Sequence, residues 1–216
     1  MILKVNVQIW DWPLRLFHWL LALAVVSCYA TGILGGLLTD WHGRLGGLIL
    51  GLLVFRLVWG VIGTTNARFV NFFPTLSRLA AYFKGDWQGM GHNPAGALAV
   101  IAMLSVLVFL VVTGLYANDD IAFEGPFYHL VDKALSDKLS GWHIWLVKPL
   151  LGLVGLHLTA IVYYQCVKKI NLVLPMLTGA MQLPESIGAV SCGPVSLPRF
   201  VIAWVVAALV VWVIFG

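Results

Sequence analysis

The sequence predicts an all-α integral membrane protein: a bundle of four transmembrane helices followed by a fifth, C-terminal one. Three observations carry that reading. Of its 216 residues, 61% are hydrophobic and 10% charged, against about 45–50% and about 25% in soluble domains. Mean hydropathy is +0.94, more apolar surface than a water-soluble core of this length can hide, so lipid must solvate most of the chain. Five segments, near residues 14–37, 43–63, 96–117, 142–165 and 198–216, are long enough to cross about 30 Å of hydrocarbon as helices.

The first segment follows Asp11-Trp12-Pro13 and contains Arg15 and His18. It runs too far to be the apolar core of a cleavable signal. A link of only residues 38–42 makes the first two helices antiparallel neighbours. Residues 64–95 hold Pro74, Gly85, Asp86 and the turn Gly91-His92-Asn93-Pro94, and read as loop. The same holds for 118–141, with Asp119, Asp120, Glu124, Gly125 and Pro126, and for 170–197, with Pro175, Pro184 and Pro194. The last helix is uniformly apolar except for the polar tips of Trp204 and Trp212, and reads as a packing or partner-docking element. Residues 1–182 are expected to form the bundle, and 183–216 a linker with the additional helix. No internal repeat or low-complexity segment is visible.

Orientation follows from the cations flanking the spans. Lys4, Arg15, Arg68, Arg78, Lys84, Lys168, Lys169 and Arg199 collect on one side; Arg44, Lys133 and Lys138 on the other. The N-terminus is therefore expected in the cytoplasm. The acids Asp40, Asp119, Asp120, Glu124, Asp132 and Asp137 fall on the outer side. A net charge of +4 reflects loop cations, which excludes a nucleic-acid partner. Cys28, Cys166 and Cys192 form no CxxC pair and no CxxCH, so neither a zinc ribbon nor covalent haem attachment is expected.

Ionisable residues inside membrane spans are costly and usually functional. His143 and His157 lie 14 residues apart, hence within about 40° on one helix face and about 21 Å apart along the axis. His42 opens the second helix at the level of His143, and His18 lies on the side of His157. The depth-matched pairs are His42–His143 and His18–His157. A metal held by two imidazoles needs further ligands, and haem brings four in a plane, so two bis-histidine b haems fit. Gly43, Gly46, Gly47 and Gly51, with Gly152 and Gly155, leave room for a flat macrocycle; close helix packing is the alternative. Arg15, three residues before His18, Arg44 beside His42, and Arg56, 14 residues after His42, are candidate partners of haem propionates. Snorkelling is the alternative for Arg56.

Trp10-Asp11-Trp12-Pro13-Leu14-Arg15-Leu16-Phe17-His18-Trp19 resembles the first-helix signature of bacterial cytochrome b561 and the cytochrome b subunits of nickel–iron hydrogenases. The resemblance continues through His42-Gly43-Arg44-Leu45-Gly46, Phe55-Arg56-Leu57-Val58-Trp59-Gly60, Gly91-His92-Asn93-Pro94, Thr113-Gly114-Leu115, His143 and Gly155-Leu156-His157. It covers about residues 8–182 and leaves out the fifth helix. It implies four core helices, haem b, the bacterial cytoplasmic (inner) membrane, and electron exchange with quinone or a redox partner.

The leading expectation is respiratory electron transfer. His92 either fixes its turn or delivers protons to a quinone near the inner haem. The acidic outer loop offers a dock for a soluble c-type cytochrome, with a membrane-associated oxidoreductase subunit as the alternative. Two other readings compete: a superoxide-oxidising quinone reductase, needing a cationic funnel from Arg44, Lys133, Lys138 and Lys148, and a non-redox transporter or structural subunit. His129 in the outer loop is expected to be unligated, with lining a docking or quinone site there as the alternative.

Overall fold

The computed structural model describes residues 4–87, 89, 91–121, 123–184 and 191–216. The elements in order are β1 (Lys4–Gln8), α1 (Trp12–Leu34), α2 (Thr39–Ile62), α3 (Phe69–Phe72), α4 (Leu76–Lys84), α5 (Pro94–Leu115), α6 (Lys133–Cys166), α7 (Val173–Thr178), β2 (Ala180–Pro184) and α8 (Leu197–Phe215). Five of them, α1, α2, α5, α6 and α8, are long and apolar enough to span a bilayer. The chain is a multi-pass, all-α membrane protein, and α6 starts nine residues earlier than the apolar stretch suggests. Asp132 explains the early start: its carboxylate accepts from Leu135 N at 2.8 Å, capping the helix.

The chain divides into two compact units, each drawing on all five long helices. One comprises Met1–Phe17, Arg56–Ile101 and Gly155–Ala203; the other comprises His18–Phe55, Ala102–Val154 and Trp204–Gly216.

In the first unit the Asp11 motif at the start of α1 is structural. One oxygen of the buried Asp11 carboxylate caps α1 by accepting from Leu14 N at 2.7 Å. The other accepts from Trp59 Nε1 at 3.1 Å and from the Thr64 hydroxyl. Trp59 is fully buried and lies edge-on to Phe200 of α8. β1 and β2 pair antiparallel, Gln8 opposite Ala180 and Val5 opposite Leu183. Gly179, at φ 88°, ends α7 and lets its carbonyl take the Ile9 N–H at 2.8 Å. Cys192 donates its N–H to Gln8 O, and burial pushes its thiol up, the inert state expected of a structural cysteine. None of the three cysteines is in a disulfide.

In the second unit α2 packs on α8. A Cβ at Gly51 would meet Val211 at 3.1 Å and one at Gly47 would meet Phe215 at 3.4 Å. Phe55 stacks on Trp204 with centroids 4.8 Å apart. For Gly47 and Gly51, helix packing is therefore the role the structure supports.

Candidate haem site

His42 lies in the first turn of α2 and His143 eleven positions into α6, both in the second unit. Their rings face each other at a centroid distance of 5.9 Å, with planes at 86°. His42 Nδ1 donates to Cys28 O on α1 at 2.8 Å. His143 Nδ1 donates to Leu110 O on α5, also at 2.8 Å. A carbonyl can only accept, so each Nδ1 carries the proton and each Nε2 keeps its lone pair. This carbonyl anchoring is the outer support that metal-ligating histidines ordinarily have.

The cradle beneath each ring is the same. Cys28 is followed four residues later by Gly32, and Leu110 by Gly114. A Cβ on Gly32 would stand 2.9 Å from His42 Nδ1, and one on Gly114 would stand 3.0 Å from His143 Cε1. Only glycine lets either ring come close enough for its hydrogen bond. The threonine before each glycine shares the carbonyl: Thr31 Oγ1 donates to Cys28 O and Thr113 Oγ1 to Leu110 O, both at 3.0 Å.

These residues fit haem. Two metal–imidazole bonds of about 2.0–2.1 Å plus the two ring radii give centroids roughly 6 Å apart, close to the observed 5.9 Å. Among the described residues no group of three or more His, Cys, Asp or Glu side chains comes together as a metal site. An ion between these imidazoles must therefore bring its own equatorial ligands, as haem does. A Cβ on Gly46, one turn after His42, would meet nothing within 4 Å, whereas one on Gly43 would meet Phe123 at 3.0 Å.

The other residues singled out by sequence go to different places. His18 is on α1, edge-on to Trp19 at 5.0 Å, and His157 is on α6; they fall in different units. Arg15 donates to Leu177 O in α7. Arg44 lies two residues after His42, hence about 200° round α2. It sits over Trp41 at 5.1 Å and lines a groove toward α8, turned away from the side that carries His42. Arg56 is buried, donates to Ala67 O at 3.1 Å, and lies 4.4 Å over the Phe69 ring. It therefore does not snorkel, and its buried Nη2, which has no hydrogen-bond partner among the described residues, remains available to the expected propionate. His92 is held between Trp10 and Phe72, with centroids at 4.6 and 4.7 Å, and Asn93 caps α5 by accepting from Gly96 N. That packing supports the turn-fixing role. A Cβ on Gly152 or Gly155 would likewise meet nothing within 4 Å.

Sequence reasoning missed Gly32 and Thr31, and quoted Thr113 and Gly114 only as part of a motif. The signal was a Thr-Gly pair on each of two helices, which becomes meaningful once their neighbours carry the histidines.

Residues 9–179 match the family described as prokaryotic cytochrome b561. A probable Ni/Fe-hydrogenase B-type cytochrome subunit of Azotobacter vinelandii is 29% identical over 183 residues, covering 69% of this chain and 70% of that protein. A probable Ni/Fe-hydrogenase 1 B-type cytochrome subunit of Escherichia coli (strain K12) is 22% identical over 185 residues, covering 66% and 78%. No solved structure matches the chain. With a family match across most of its length, five membrane-spanning helices and a histidine pair shaped for haem, the chain belongs to the prokaryotic cytochrome b561 family of membrane b-type electron-transfer cytochromes.

Proposed function

We propose that this cytochrome carries two b haems and passes electrons through the membrane between a membrane-associated oxidoreductase subunit and quinone. The observation that carries the reading is the matched anchoring of His42 and His143, each Nδ1 on a helix carbonyl at 2.8 Å and each ring on a glycine. Bound haem supplies one-electron redox chemistry. The chain's residues hold it and set its ease of reduction: hydrogen-bonded imidazoles are more basic ligands and favour the oxidised state.

The second site is His18 with His157. Its support is the period of α6, which repeats the face of His143 about 21 Å further along the same helix. Arg15, one turn before His18 on α1, is the proposed propionate partner there. The N-terminus faces the cytoplasm of a bacterial cell, by the distribution of loop cations. Reduction of quinone takes two electrons and two protons, and the cytoplasmic side is the proposed proton source.

The partner reading draws on the relatives named as hydrogenase cytochrome subunits and on the outer loop. Lys133 bridges Asp120 at 2.7 Å and Asp137 at 2.9 Å. Asp119 accepts from Ile121 N and Phe123 N, and Asp132 caps α6. With these acids engaged locally, a membrane-associated partner is favoured over a basic soluble cytochrome. The same ion pairs engage Lys133 and weaken the cationic funnel that superoxide oxidation needs.

Haem content tests the reading. Wild type should hold two non-covalent haems per chain, and His143→Ala and His157→Ala one each, with different spectra lost. A single haem in wild type, or the same haem lost in both variants, would overturn the two-site arrangement.

A further inference from the structure

In the first unit the short helix α4 is tied to the ends of two spans. The hydroxyls of Tyr82 on α4 and Tyr164 on α6 are hydrogen-bonded at 2.7 Å. Asn93, the cap of α5, donates its side-chain amide to the same Tyr164 hydroxyl at 2.9 Å. Tyr164 lies two residues before α6 ends at Cys166, with Lys168 and Lys169 just beyond, and α5 begins at Pro94. Both helices are spans, so these bonds hold α4 at the level where they leave the hydrocarbon. Cations just past an apolar span mark that level. Leu76, Ala80 and Phe83 stand at i, i+4 and i+7 of α4, within about 60° of one face. All three are exposed, Leu76 at 86% and Phe83 at 77%. Tyr82 leaves the helix about 100° round from Phe83, and Ser77 and Lys84 border the apolar face on its other flank. A helix of nine residues is marginal on its own in water. Arg78 binds α4 back onto α3 by donating to Asn71 O at 3.2 Å and Phe73 O at 2.9 Å.

We propose that α4 is an in-plane membrane anchor: Leu76, Ala80 and Phe83 insert among lipid acyl chains at the interface, while Ser77 and Lys84 stay among the headgroups. An apolar stripe flanked by a cation, on a helix fixed at the boundary of two spans, is what an interfacial helix presents to lipid. The apolar surface extends into the preceding segment, where Val70 and Phe73 are also exposed. Anchoring α4 steadies more than itself. Through Arg78 it holds α3, whose Phe69 lies 4.4 Å from the Arg56 guanidinium and whose Phe72 stacks on His92 at 4.7 Å. The inference is independent of the number of haems and of which side of the membrane is cytoplasmic.

Nitroxide labels at Leu76→Cys, Ser77→Cys and Phe83→Cys test it, in the haem-loaded full chain in vesicles of phosphatidylethanolamine and phosphatidylglycerol. Each variant also carries Cys166→Ser, because Cys166 is exposed, and the chain with Cys166→Ser alone gives the background from Cys28 and Cys192. Oxygen concentrates in hydrocarbon and a nickel chelate in water. Collisions with the label should therefore favour oxygen severalfold at positions 76 and 83, and the chelate at position 77. Collisions favouring the chelate at 76 and 83 would overturn the proposal by placing the face in water. Exclusion of both reagents there would also overturn it, since a protein surface would then cover the face. Oxygen favoured equally at all three positions would sink the whole helix into hydrocarbon and contradict the in-plane pose.

Discussion

Adding one methyl group at Gly32 tests the cradle under His42. In Gly32→Ala the new carbon would stand 2.9 Å from Nδ1 and 3.0 Å from Cε1 of the ring, whereas non-bonded atoms settle at about 3.5–4.0 Å. The imidazole must retreat by about 0.5–1 Å, stretching its 2.8 Å hydrogen bond to Cys28 O. Losing that bond costs about 0.5–1.5 kcal/mol, and the overpacking about 1–3 kcal/mol. Without haem the ring is free to swing away, so the cost falls on the haem-bound state. Affinity at this site should fall roughly 10- to 1,500-fold, at about 1.4 kcal/mol per decade. A less basic imidazole also disfavours the oxidised state, so the potential of the retained haem should rise by up to about 60 mV, at roughly 59 mV per 1.4 kcal/mol for one electron. Redox titration with haem quantitation reads both effects. Gly141→Ala on the same bundle, where nothing lies within 4 Å, is the control. Unchanged potential and full haem retention in Gly32→Ala would refute the cradle.

Arg56→Leu removes the bond to Ala67 O and the stack on Phe69 and should cost about 1–3 kcal/mol of stability, seen as a lower midpoint of thermal haem release in detergent; an unchanged midpoint would deny the structural role. His92→Phe keeps an aromatic ring between Trp10 and Phe72 but cannot titrate, and quinol formation should continue at the wild-type rate. A large fall with both haems intact would make His92 a proton donor. Reduction by a basic soluble cytochrome should vary little with ionic strength, because a membrane-associated partner docks through apolar helix contact and Lys133 offsets one of the two charges of Asp120 and Asp137; a steep fall between low salt and the roughly 0.15 M at which screening reaches about 8 Å would restore a soluble donor.

The five spans were legible because lipid imposes a length and an apolarity that composition cannot disguise. The histidine pair at positions 42 and 143 was legible from depth alone, since an ionisable side chain inside a membrane span demands a partner. The β1–β2 ribbon was not: its strands are five residues each, and Gln8 and Ala180 find one another only in the folded chain. The early start of α6 was hidden by Asp132 and Asp137, whose polarity reads as loop although Asp132 is the cap. Arg44 is near His42 in sequence, but the helical period turns it about 200° away. The glycines divide by what faces them. Gly47 and Gly51 receive α8, whereas Gly32 and Gly114, which no periodicity marks, receive the two imidazoles.

The central claim is that His42 and His143 together hold a haem, and low-temperature electron paramagnetic resonance of the oxidised protein tests it most directly. Each imidazole splits the two iron d orbitals that lie out of the haem plane, and rings set at right angles cancel one another's splitting. At the observed 86° the site should give a highly anisotropic low-spin signal that disappears in His143→Ala. A well-resolved rhombic signal of parallel rings at that site, or a spectrum unchanged by His143→Ala, would contradict the account.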